Sequence, residues 1–362
     1  MSKLAQRQTQ LLDWINHSTP FLCQQLEMVY GDASFRRYFR FTYQKQSIIA
    51  VDAPPKSENS QQFILVAELY AKHGLSVPQV LAHDKRQGFY CLQDFGDRLF
   101  GAALDQTSCQ HLYPQALGLL PSIQLCTRTS QANLPEYDDN LLTAEFDIFT
   151  HWLLNVHLQL TLSAQEQLIV AQTFSCLRAN FFAQPQVGVH RDFHSRNLML
   201  LDDGKIGVID FQDAVRGPIT YDAVSLLRDC YQRWPSAWVD KWFAHWHTQY
   251  YGQYSFGQFK RWFDLTGLQR HIKASGIFAR LYHRDGKGHY LADIPRTLVY
   301  LCEIGEQYSE CQAFARLITH KIIPRLTEVQ EKMESQNSEP QQTDTAELTP
   351  HHTIDGDVFR GH

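Results

Sequence analysis

A short polar stretch within "VGVHRDFHSRNLML", residues 187–200, carries the side chains best suited to chemistry. Asp192 and Asn197 stand five positions apart in it, and Asp210 follows a second apolar run that contains an Asp-Asp-Gly turn. A carboxylate can orient a hydroxyl group and accept its proton, and carboxylate and amide oxygens are ligands that Mg²⁺ prefers. We therefore predict phosphoryl transfer from ATP to a hydroxyl group, with Asp192 as the base and Asn197 and Asp210 as metal ligands.

The order of these residues is more specific than any one of them. His-Arg-Asp at 190–192, four further residues and Asn197 match the protein-kinase catalytic loop H-R-D-x-x-x-x-N, and Asp210 begins an Asp-Phe pair where the metal-binding motif should follow. An H-R-D triplet alone occurs by chance, whereas the whole ordered set is improbable as a coincidence. The alternative is an ordinary polar loop beside a solvated hairpin end.

The composition is that of a folded protein with room for two domains, since 44% of the 362 residues are hydrophobic and 20% are charged. A formal net charge of -5 does not favour bulk binding to nucleic acid or to an anionic membrane, so neither is an expected partner. The eight cysteines form no C-x-x-C pair, which argues against a zinc site or a disulfide framework. The start lacks the apolar core of a signal peptide, and no apolar run is long enough to cross a membrane. We expect a cytoplasmic protein that acts as a monomer.

Hydrophobic periodicity indicates a β-rich first part of the chain. Apolar residues at helical spacing predict a first helix over 4–15. Residues 28–54 are rich in β-branched and aromatic side chains and predict antiparallel strands around a tight loop at 31–34. A helical stripe over 63–70 and two more strands over 77–96 complete a small sheet that carries one helix.

From about residue 100 the pattern becomes mainly helical. Long amphipathic helices are predicted over 140–162 and 164–183, and a hairpin over 197–211 interrupts them. Helical patterns resume at 220 and continue to about 332. Residues 333–362 are polar and cannot bury enough apolar surface to offset chain entropy, so we expect a mobile tail.

Several longer strings resemble the aminoglycoside phosphotransferase and choline kinase branch of the protein-kinase-like fold, over roughly residues 25–325. The resemblance implies a bilobal α+β fold with a small β-rich lobe and a larger, mainly helical lobe. The expected division is a nucleotide-binding lobe over 1–95, a catalytic and substrate lobe over 96–332 and the tail. The strings are "GDASFRRYFR", "VDAPP", "HRDFHSRNLML", "VIDFQDAVRGPITYDAVSLLRD" and "GIFARLYHRDGKGHYLADIPR".

Within that family the strings are most similar to the bacterial sugar 1-kinases of cell-wall recycling, which act on N-acetylmuramate and N-acetylglucosamine. The similarity implies ATP and Mg²⁺ as cofactors, a small sugar as the other partner, and a sugar α-1-phosphate as product. Two other possibilities stay open. One is a kinase of the same branch that acts on an aminoglycoside, choline or another hydroxyl compound, and the other is a silent nucleotide-binding protein.

The string at 31–40 stands where the nucleotide-covering loop is expected. Ser34 is small enough to let the backbone approach phosphates, and strand alternation places Arg36 and Arg40 on one face and Arg37 on the other. We predict that Ser34, Arg36 and Arg40 contact the nucleotide. A solvated basic strand is the alternative.

The protein-kinase lysine that holds the α- and β-phosphates is missing from "SIIAVDAPP", where Asp52 stands near its position. The phosphate-holding charge must then come from elsewhere, and we predict that the arginines of the preceding strand supply it. By resemblance, Leu92, Gln93 and Asp94 are the hinge residues that meet the adenine. By the same resemblance, Asp222 braces the catalytic loop.

Substrate contacts are predicted from two helical stretches. Glu145 lies on the margin of an apolar helix face, where a carboxylate can read sugar hydroxyl groups, and Trp152 in the same row can stack on a sugar ring. A solvated edge position for Glu145 and a core position for Trp152 are equally open. Residues 270–287 gather basic side chains that favour a substrate carboxylate or a phosphate, with a charged helix face as the alternative. The predicted substrate contacts are Glu145, Arg191, His194 and Arg280.

Overall fold

The amino-terminal lobe is a five-stranded antiparallel sheet with strand order β1-β2-β3-β5-β4 and a helix on each face. The computed structural model describes residues 3–29 and 36–338 of the chain. Within those residues, no helix combines the length and the apolar character needed to cross a membrane. The elements of this lobe are α1 (Lys3–Ser18), β1 (Glu27–Val29), β2 (Arg37–Tyr43), β3 (Gln46–Asp52), α2 (Ser60–Lys72), β4 (Val80–Asp84) and β5 (Phe89–Gln93).

Both faces of this sheet are covered because successive side chains of a strand point to opposite sides. Phe89 and Cys91 of β5 belong to the hydrophobic cluster under α1. Their neighbours Tyr90 and Leu92 belong to the cluster under α2. The side chains of β3 alternate between the same two clusters, so both faces of the sheet are packed.

The second lobe is mainly helical and contains two short antiparallel hairpins, β6 with β9 and β7 with β8. Turns of 3₁₀ helix at Gly101–Ala103 and Gly288–Asp293 connect its longer elements. The elements are α3 (Cys109–Leu117), α4 (Leu120–Leu125), α5 (Asp139–Ile148), α6 (Ala164–Phe182), β6 (Gln186–Val189), β7 (Leu198–Leu200), β8 (Ile206–Val208), β9 (Val215–Pro218), α7 (Tyr221–Leu227), α8 (Ser236–Tyr250), α9 (Phe256–Asp285), α10 (Ile294–Gly305), α11 (Gln312–Leu317) and α12 (Ile323–Ser338).

The central helix α9 approaches the end of α5 very closely. A Cβ atom at Gly276 would lie 2.6 Å from the carbonyl oxygen of Ile148, so only glycine fits this crossing. At the same point α5 passes into a wider π-helical segment, Phe149–His157. The single helix predicted over 140–162 is therefore two segments of different pitch that end at His157.

The last helix is longer than predicted. α12 runs to Ser338, so residues 333–338 are helical and are not part of a loose tail. Glutamate, lysine and methionine are good helix formers and allow the helix to continue past the last apolar residues. The remaining residues of the predicted tail, 339–362, lie outside the described residues.

One hydrophobic core continues from the first lobe into the second. Phe211 of the second lobe stacks on Phe63 of α2, with ring centroids 4.8 Å apart. Phe95, in the segment that joins the lobes, packs so closely on Gly207 of β8 that a Cβ there would lie 2.7 Å from the ring. The predicted lobe boundary at residue 95 falls in this joining segment, between β5 and the turn at Gly101–Ala103.

Candidate active site

A cleft of 1360 Å³ lies between the sheet of the first lobe and the helices of the second. Asp192, Asn197 and Asp210 all line it, so the three residues singled out by their spacing come together in space. Glu145 is not among the lining residues, and Ser34 lies outside the described part of the chain. The other predicted site residues that line the cleft are Arg36, Arg40, Leu92, Gln93, Asp94, Arg191, His194 and Arg280.

The loop between β6 and β7 is held by a buried carboxylate from α7. Asp222 accepts hydrogen bonds from the backbone N–H groups of His190, at 2.7 Å, and Arg191, at 3.1 Å. Arg191 has a φ of 77°, a left-handed conformation that is strained for a residue with a side chain. Because its own N–H is bound in that conformation, the strained turn is stabilised and Asp192 is presented to the cleft.

A second carboxylate holds the other end of the loop. Asp229, directly after α7, accepts hydrogen bonds from the backbone N–H groups of Ser195, at 2.9 Å, and Tyr231, at 2.8 Å. Its side chain is buried. We did not predict this role from the sequence. The available signal was Arg228-Asp229, a charged pair set between Leu227 and Cys230.

Asn197 and Asp210 form the candidate metal site. The amide nitrogen of Asn197 donates to the carbonyl oxygen of Asp192, at 2.9 Å, and lies 3.5 Å from a carboxylate oxygen of Asp210. Burial raises the pKa of Asp210, a hydrogen bond from Gln212 opposes that rise, and the charges of Asp192 and Asp213 add to it. A cation would relieve this excess of negative charge, so the residues fit Mg²⁺. In nucleotide sites this ion takes one or two protein carboxylates and completes its shell with water and phosphate oxygens.

The carboxylate of Asp192 is ionised because cations surround it. Burial by itself would raise its pKa, but Lys273, His194, Arg270 and Arg191 together lower it to about 2. Lys273 and the two arginines are the permanent cations of this set, since burial lowers the pKa of His194. One guanidinium nitrogen of Arg270 lies 4.0 Å from the carboxylate, of which 43% remains exposed to the cleft. Asp192 can therefore accept a hydrogen bond from an incoming hydroxyl group at any physiological pH.

Three arginines in and beside β2 have three different surroundings. Arg36 is buried in the cleft, 2.8 Å from Glu58, and its charge opposes the rise in the pKa of Asp210. Arg37 points to the other face of the sheet and binds Asp52 at 2.6 Å. Arg40 lines the cleft but is held by Asp94, at 2.6 Å. Arg36 and Arg40 thus both line the cleft and both have a carboxylate partner, and contact of either with the nucleotide stays a prediction.

Asp52, which stands near the position of the missing lysine, does not face the cleft. It is fully buried and pairs with Arg37 and with Arg7 of α1, so it attaches the first helix to the sheet. At the end of β5, Leu92 and Gln93 line the cleft beside Asp94. The carboxylate of Asp94 is taken up by Arg40 and by Ser47, at 2.5 Å, which leaves the backbone and the exposed side chain of Gln93 to meet a base at this hinge.

Glu145 lies beneath the floor of the cleft, with 2% of its surface exposed. Its carboxylate binds Lys273 at 2.8 Å, Arg191 at 3.1 Å and the amide of Gln269 at 2.9 Å, and it also accepts a hydrogen bond from Tyr137. All of its acceptor positions are used. The prediction that Glu145 contacts a substrate is therefore corrected, because its carboxylate instead positions the cations that surround Asp192.

The other predicted substrate residues line the part of the cleft next to α9. Arg191 is held by Glu145, whereas His194 packs edge-on against Tyr231, with ring centroids 5.3 Å apart. Arg280 of α9 is partly buried and faces the same space. Trp152, in contrast, packs against the helical core and does not line the cleft.

Comparison with known proteins gives consistent results in sequence and in structure. The profile of the phosphotransferase enzyme family matches residues 26–256. The chain is 38% identical to the N-acetylmuramate/N-acetylglucosamine kinase of Neisseria meningitidis serogroup B, over 88% of this chain and 96% of that one. It is 39% identical to the kinase of the same name from Pseudomonas aeruginosa, over 75% of this chain and 81% of that one.

Among solved structures, the choline kinase LicA from Streptococcus pneumoniae matches with a TM-score of 0.60 and 14% identity. The match covers 82% of this chain and 99% of that one. At so low an identity the likeness concerns the fold alone. The predicted bilobal, protein-kinase-like α+β fold is thereby confirmed.

Proposed function

Because the chain belongs to the phosphotransferase enzyme family, we propose that it is a kinase that transfers the γ-phosphoryl group of ATP to the anomeric hydroxyl of an amino sugar. The proposed acceptors are N-acetylmuramate and N-acetylglucosamine, the sugars named in relatives that are 38% and 39% identical. The product would be a sugar 1-phosphate. The reaction consumes ATP, in agreement with the expectation of a cytoplasmic protein.

The observation that carries this proposal is the meeting of Asp192, Asn197 and Asp210 in one cleft between the lobes. Phosphoryl transfer needs little covalent help from a protein, because catalysis comes mostly from positioning and from stabilising charge. The three residues supply both functions. Their side chains converge because two buried carboxylates hold the loop and because Phe211 anchors the metal segment to α2.

Asp192 is the group that meets the acceptor hydroxyl. Its pKa of about 2 makes it a weak base, which suits a transition state of dissociative character, since the hydroxyl keeps its proton until late in such a reaction. The carboxylate therefore acts mainly by orienting the hydroxyl group. Arg270, 4.0 Å away, keeps the carboxylate ionised.

Asn197 and Asp210 would hold Mg²⁺, which when bound neutralises charge on the phosphates. Arg36 takes the place of the missing lysine as the cation for the phosphates. It is the arginine near Asp210, whereas Arg37 and Arg40 are held by carboxylates elsewhere. Glu58 orients Arg36 through an ion pair. In protein kinases a glutamate of a helix orients the phosphate-binding lysine in the same way, but the two residues occupy other positions in the sequence.

A substrate panel tests this function. Purified protein with Mg²⁺ and ATP is given N-acetylmuramate, N-acetylglucosamine, choline or an aminoglycoside, and ADP formation is followed while phosphorus NMR identifies the product. We expect turnover with the two amino sugars and a phosphorus signal coupled to the anomeric proton. A phosphate on any other hydroxyl, or turnover confined to choline or the aminoglycoside, would contradict the proposal.

A further inference from the structure

One face of helix α9 forms a continuous stripe of side chains along the cleft, on the side where the sugar acceptor would bind. Arg270, Lys273, Ile277, Arg280 and Arg284 recur at the spacing of one helix face, and all of them line the cleft. The stripe is strongly basic in a protein whose formal net charge is -5. Such a concentration of cations has to be balanced by carboxylates of the protein or by a ligand.

Most cations of the stripe are already balanced. Lys273 binds Glu145 at 2.8 Å, and Arg284 binds Asp285 at 2.8 Å. Arg270 lies 4.0 Å from Asp192. These three side chains therefore carry no charge that calls for an anion from outside.

Arg280 is the exception. In the part of the chain that the structure describes, no carboxylate lies within ion-pair distance of Arg280, and its buried Nε atom has no hydrogen-bond partner. Burial lowers the pKa of this guanidinium, and the charge of Arg284 lowers it further. The charge of Asp285 opposes this decrease, but Asp285 is paired with Arg284. Among the described residues Arg280 therefore has no carboxylate of its own, and a bound anion would stabilise its charge.

The position of Arg280 suits a group on the acceptor that is remote from the reacting hydroxyl. With a rise of 1.5 Å per residue, Arg280 lies about 15 Å along the axis from Arg270, the residue nearest Asp192. Side chains of a helix lean towards its amino-terminal end, which for Arg280 is the direction of the catalytic loop. The ends of the acceptor site are thus marked by Asp192 and Arg280.

Aromatic rings line the space between these two ends. Tyr231 packs against His194 next to the catalytic loop, and Phe278 lies 6.4 Å from Tyr231, measured between ring centroids. Phe278 in turn stacks on Tyr290, at 5.8 Å. Phe278 and Tyr290 are buried and support Tyr231, whose partly buried ring carries the guanidinium of Arg196 3.6 Å from its centroid. A pyranose in this space with its anomeric hydroxyl at Asp192 would direct a substituent on its far side to Arg280.

We propose that Arg280 binds a carboxylate of the acceptor and so makes the site prefer N-acetylmuramate to N-acetylglucosamine. The two sugars differ in the lactyl ether that only N-acetylmuramate carries, and that group ends in a carboxylate. An arginine and a carboxylate form a bidentate, charge-assisted pair, which gives both affinity and orientation. The inference rests on the proposed function, since it names which acceptor the same site prefers.

Substitution of Arg280 tests this preference. We expect Arg280→Gln to lower kcat/KM for N-acetylmuramate by about 10-fold to 100-fold, mainly through KM, while kcat/KM for N-acetylglucosamine changes by about twofold or less. Arg280→Lys keeps the positive charge but cannot form the bidentate pair of hydrogen bonds. Its kcat/KM for N-acetylmuramate should therefore lie between those of the wild type and Arg280→Gln. The matched control is Arg316→Gln on α11, an exposed arginine outside the cleft, which should leave both sugars unaffected.

Calorimetric titration of both sugars into the wild type and Arg280→Gln gives a readout that does not need turnover. Weaker binding of N-acetylmuramate alone supports the inference, even if the wild type transfers no phosphoryl group, in which case only the proposed function fails. Equal losses for the two sugars would assign Arg280 to general sugar binding and overturn the inference. Unchanged binding of N-acetylmuramate, or no binding by the wild type, would overturn it as well. A circular dichroism spectrum that matches the wild type excludes misfolding as the cause of a loss.

Discussion

The side chain of Asp192 differs from an ordinary surface aspartate in what surrounds it. Cations from α9 and from its own loop keep it ionised, and Glu145 beneath the cleft keeps those cations in place. A carboxylate that is always charged can accept a hydrogen bond at any working pH. Its removal should therefore affect turnover much more than nucleotide binding.

We expect Asp192→Asn to lower kcat by about 10²-fold to 10⁴-fold, the range found when a positioned acid or base is lost. The amide has nearly the same shape but cannot take the proton. Steady-state kinetics and calorimetric binding of ATP measure the two effects separately. Asp240→Asn, at an exposed position of α8, is the control. Turnover near the wild-type rate in the Asp192 variant would remove this residue from catalysis.

Arg36 and Arg37 are neighbours in sequence with opposite expected roles. Arg36→Gln should raise the KM for ATP by about tenfold or more, because a buried cation near Asp210 is lost. Arg37→Gln should lower the free energy of unfolding, because Asp52 loses one of its two partners, and should leave the KM for ATP within about twofold. Steady-state kinetics and urea unfolding of both variants measure the two effects. Similar KM values for ATP in the two variants would refute the assignment of Arg36 to the phosphates.

Asp222 should make stability depend on pH. Burial raises its pKa to about 7, against an ordinary value of about 3.9, so the folded state binds a proton that the unfolded state has lost. Ionising this group costs folding free energy, and the cost grows as the pH rises through this interval and is constant above it. Relative to Asp222→Asn, the wild type should lose stability between about pH 4 and about pH 7.

Asp222→Asn replaces one of the two side-chain oxygens that accept hydrogen bonds from backbone N–H groups, so it should also be less stable than the wild type at low pH, by about 1–3 kcal/mol. Urea unfolding at several pH values measures both effects. A stability difference that does not change with pH would show that Asp222 titrates normally.

Residue types and their spacing were enough to identify Asp192, Asn197 and Asp210, because the chemistry fixes both. The same reasoning misplaced Glu145, whose partners Lys273 and Gln269 come from a helix more than a hundred positions away. It also could not distinguish Arg36 from Arg40, since strand alternation gives them the same face. Each is paired with a carboxylate from another part of the chain, Arg36 with Glu58 and Arg40 with Asp94.

At the scale of elements, the crossing of α9 and α5 decides how the floor of the cleft is built. The crossing is close because Gly276 has no side chain, and α5 widens into a π-helical segment where the two helices touch. Glu145 lies on α5 just before this point and reaches Lys273 on α9 just before Gly276. The crossing therefore aligns the acidic and basic side chains under Asp192.

A methyl group at this crossing should be destabilising. Gly276→Ala is expected to cost about 1–3 kcal/mol, as overpacking of a core does, because the new Cβ would meet backbone atoms of Ile148 and Phe149 that cannot swing aside. Gly257→Ala, in the exposed first turn of the same helix with no atom within 4 Å, is the matched control and should be neutral or stabilising by up to about 1 kcal/mol. Equal stability of both variants in urea would contradict the close crossing.

Periodicity predicted most elements because hydrophobic spacing is a local property of the sequence. Both helices flanking the sheet, the strands and the hairpin before Asp210 follow from it. The π-helical segment after α5 does not, since it begins where another helix crosses, at Gly276, which is far away in sequence. The end of α12 was placed too early because polar residues that continue a helix resemble those of a tail.

At the scale of the whole molecule, nucleotide and metal would bind between two lobes that share one core. A ligand that contacts both lobes stabilises the folded state by mass action, by about 2.7 kcal/mol at a concentration of 100 times its Kd. ATP with Mg²⁺ should therefore raise Tm more than ATP with EDTA. Asp210→Asn should abolish the part of the increase that depends on the metal. The four measurements are the wild type and Asp210→Asn, each with ATP and Mg²⁺ and with ATP and EDTA. An equal increase in Tm in all four would show that Asp210 does not hold the ion.

The ring of Phe211 has a consequence for product release. It stacks on Phe63 and lies 5.6 Å from Tyr70, so the segment that ends in Asp210 is fastened to α2 of the opposite lobe. A cleft that opens to let ADP escape must either carry this segment along or separate the rings. Departure of ADP and loss of the ion are then kinetically linked. In stopped-flow measurements, Phe63→Leu should accelerate both off-rates together.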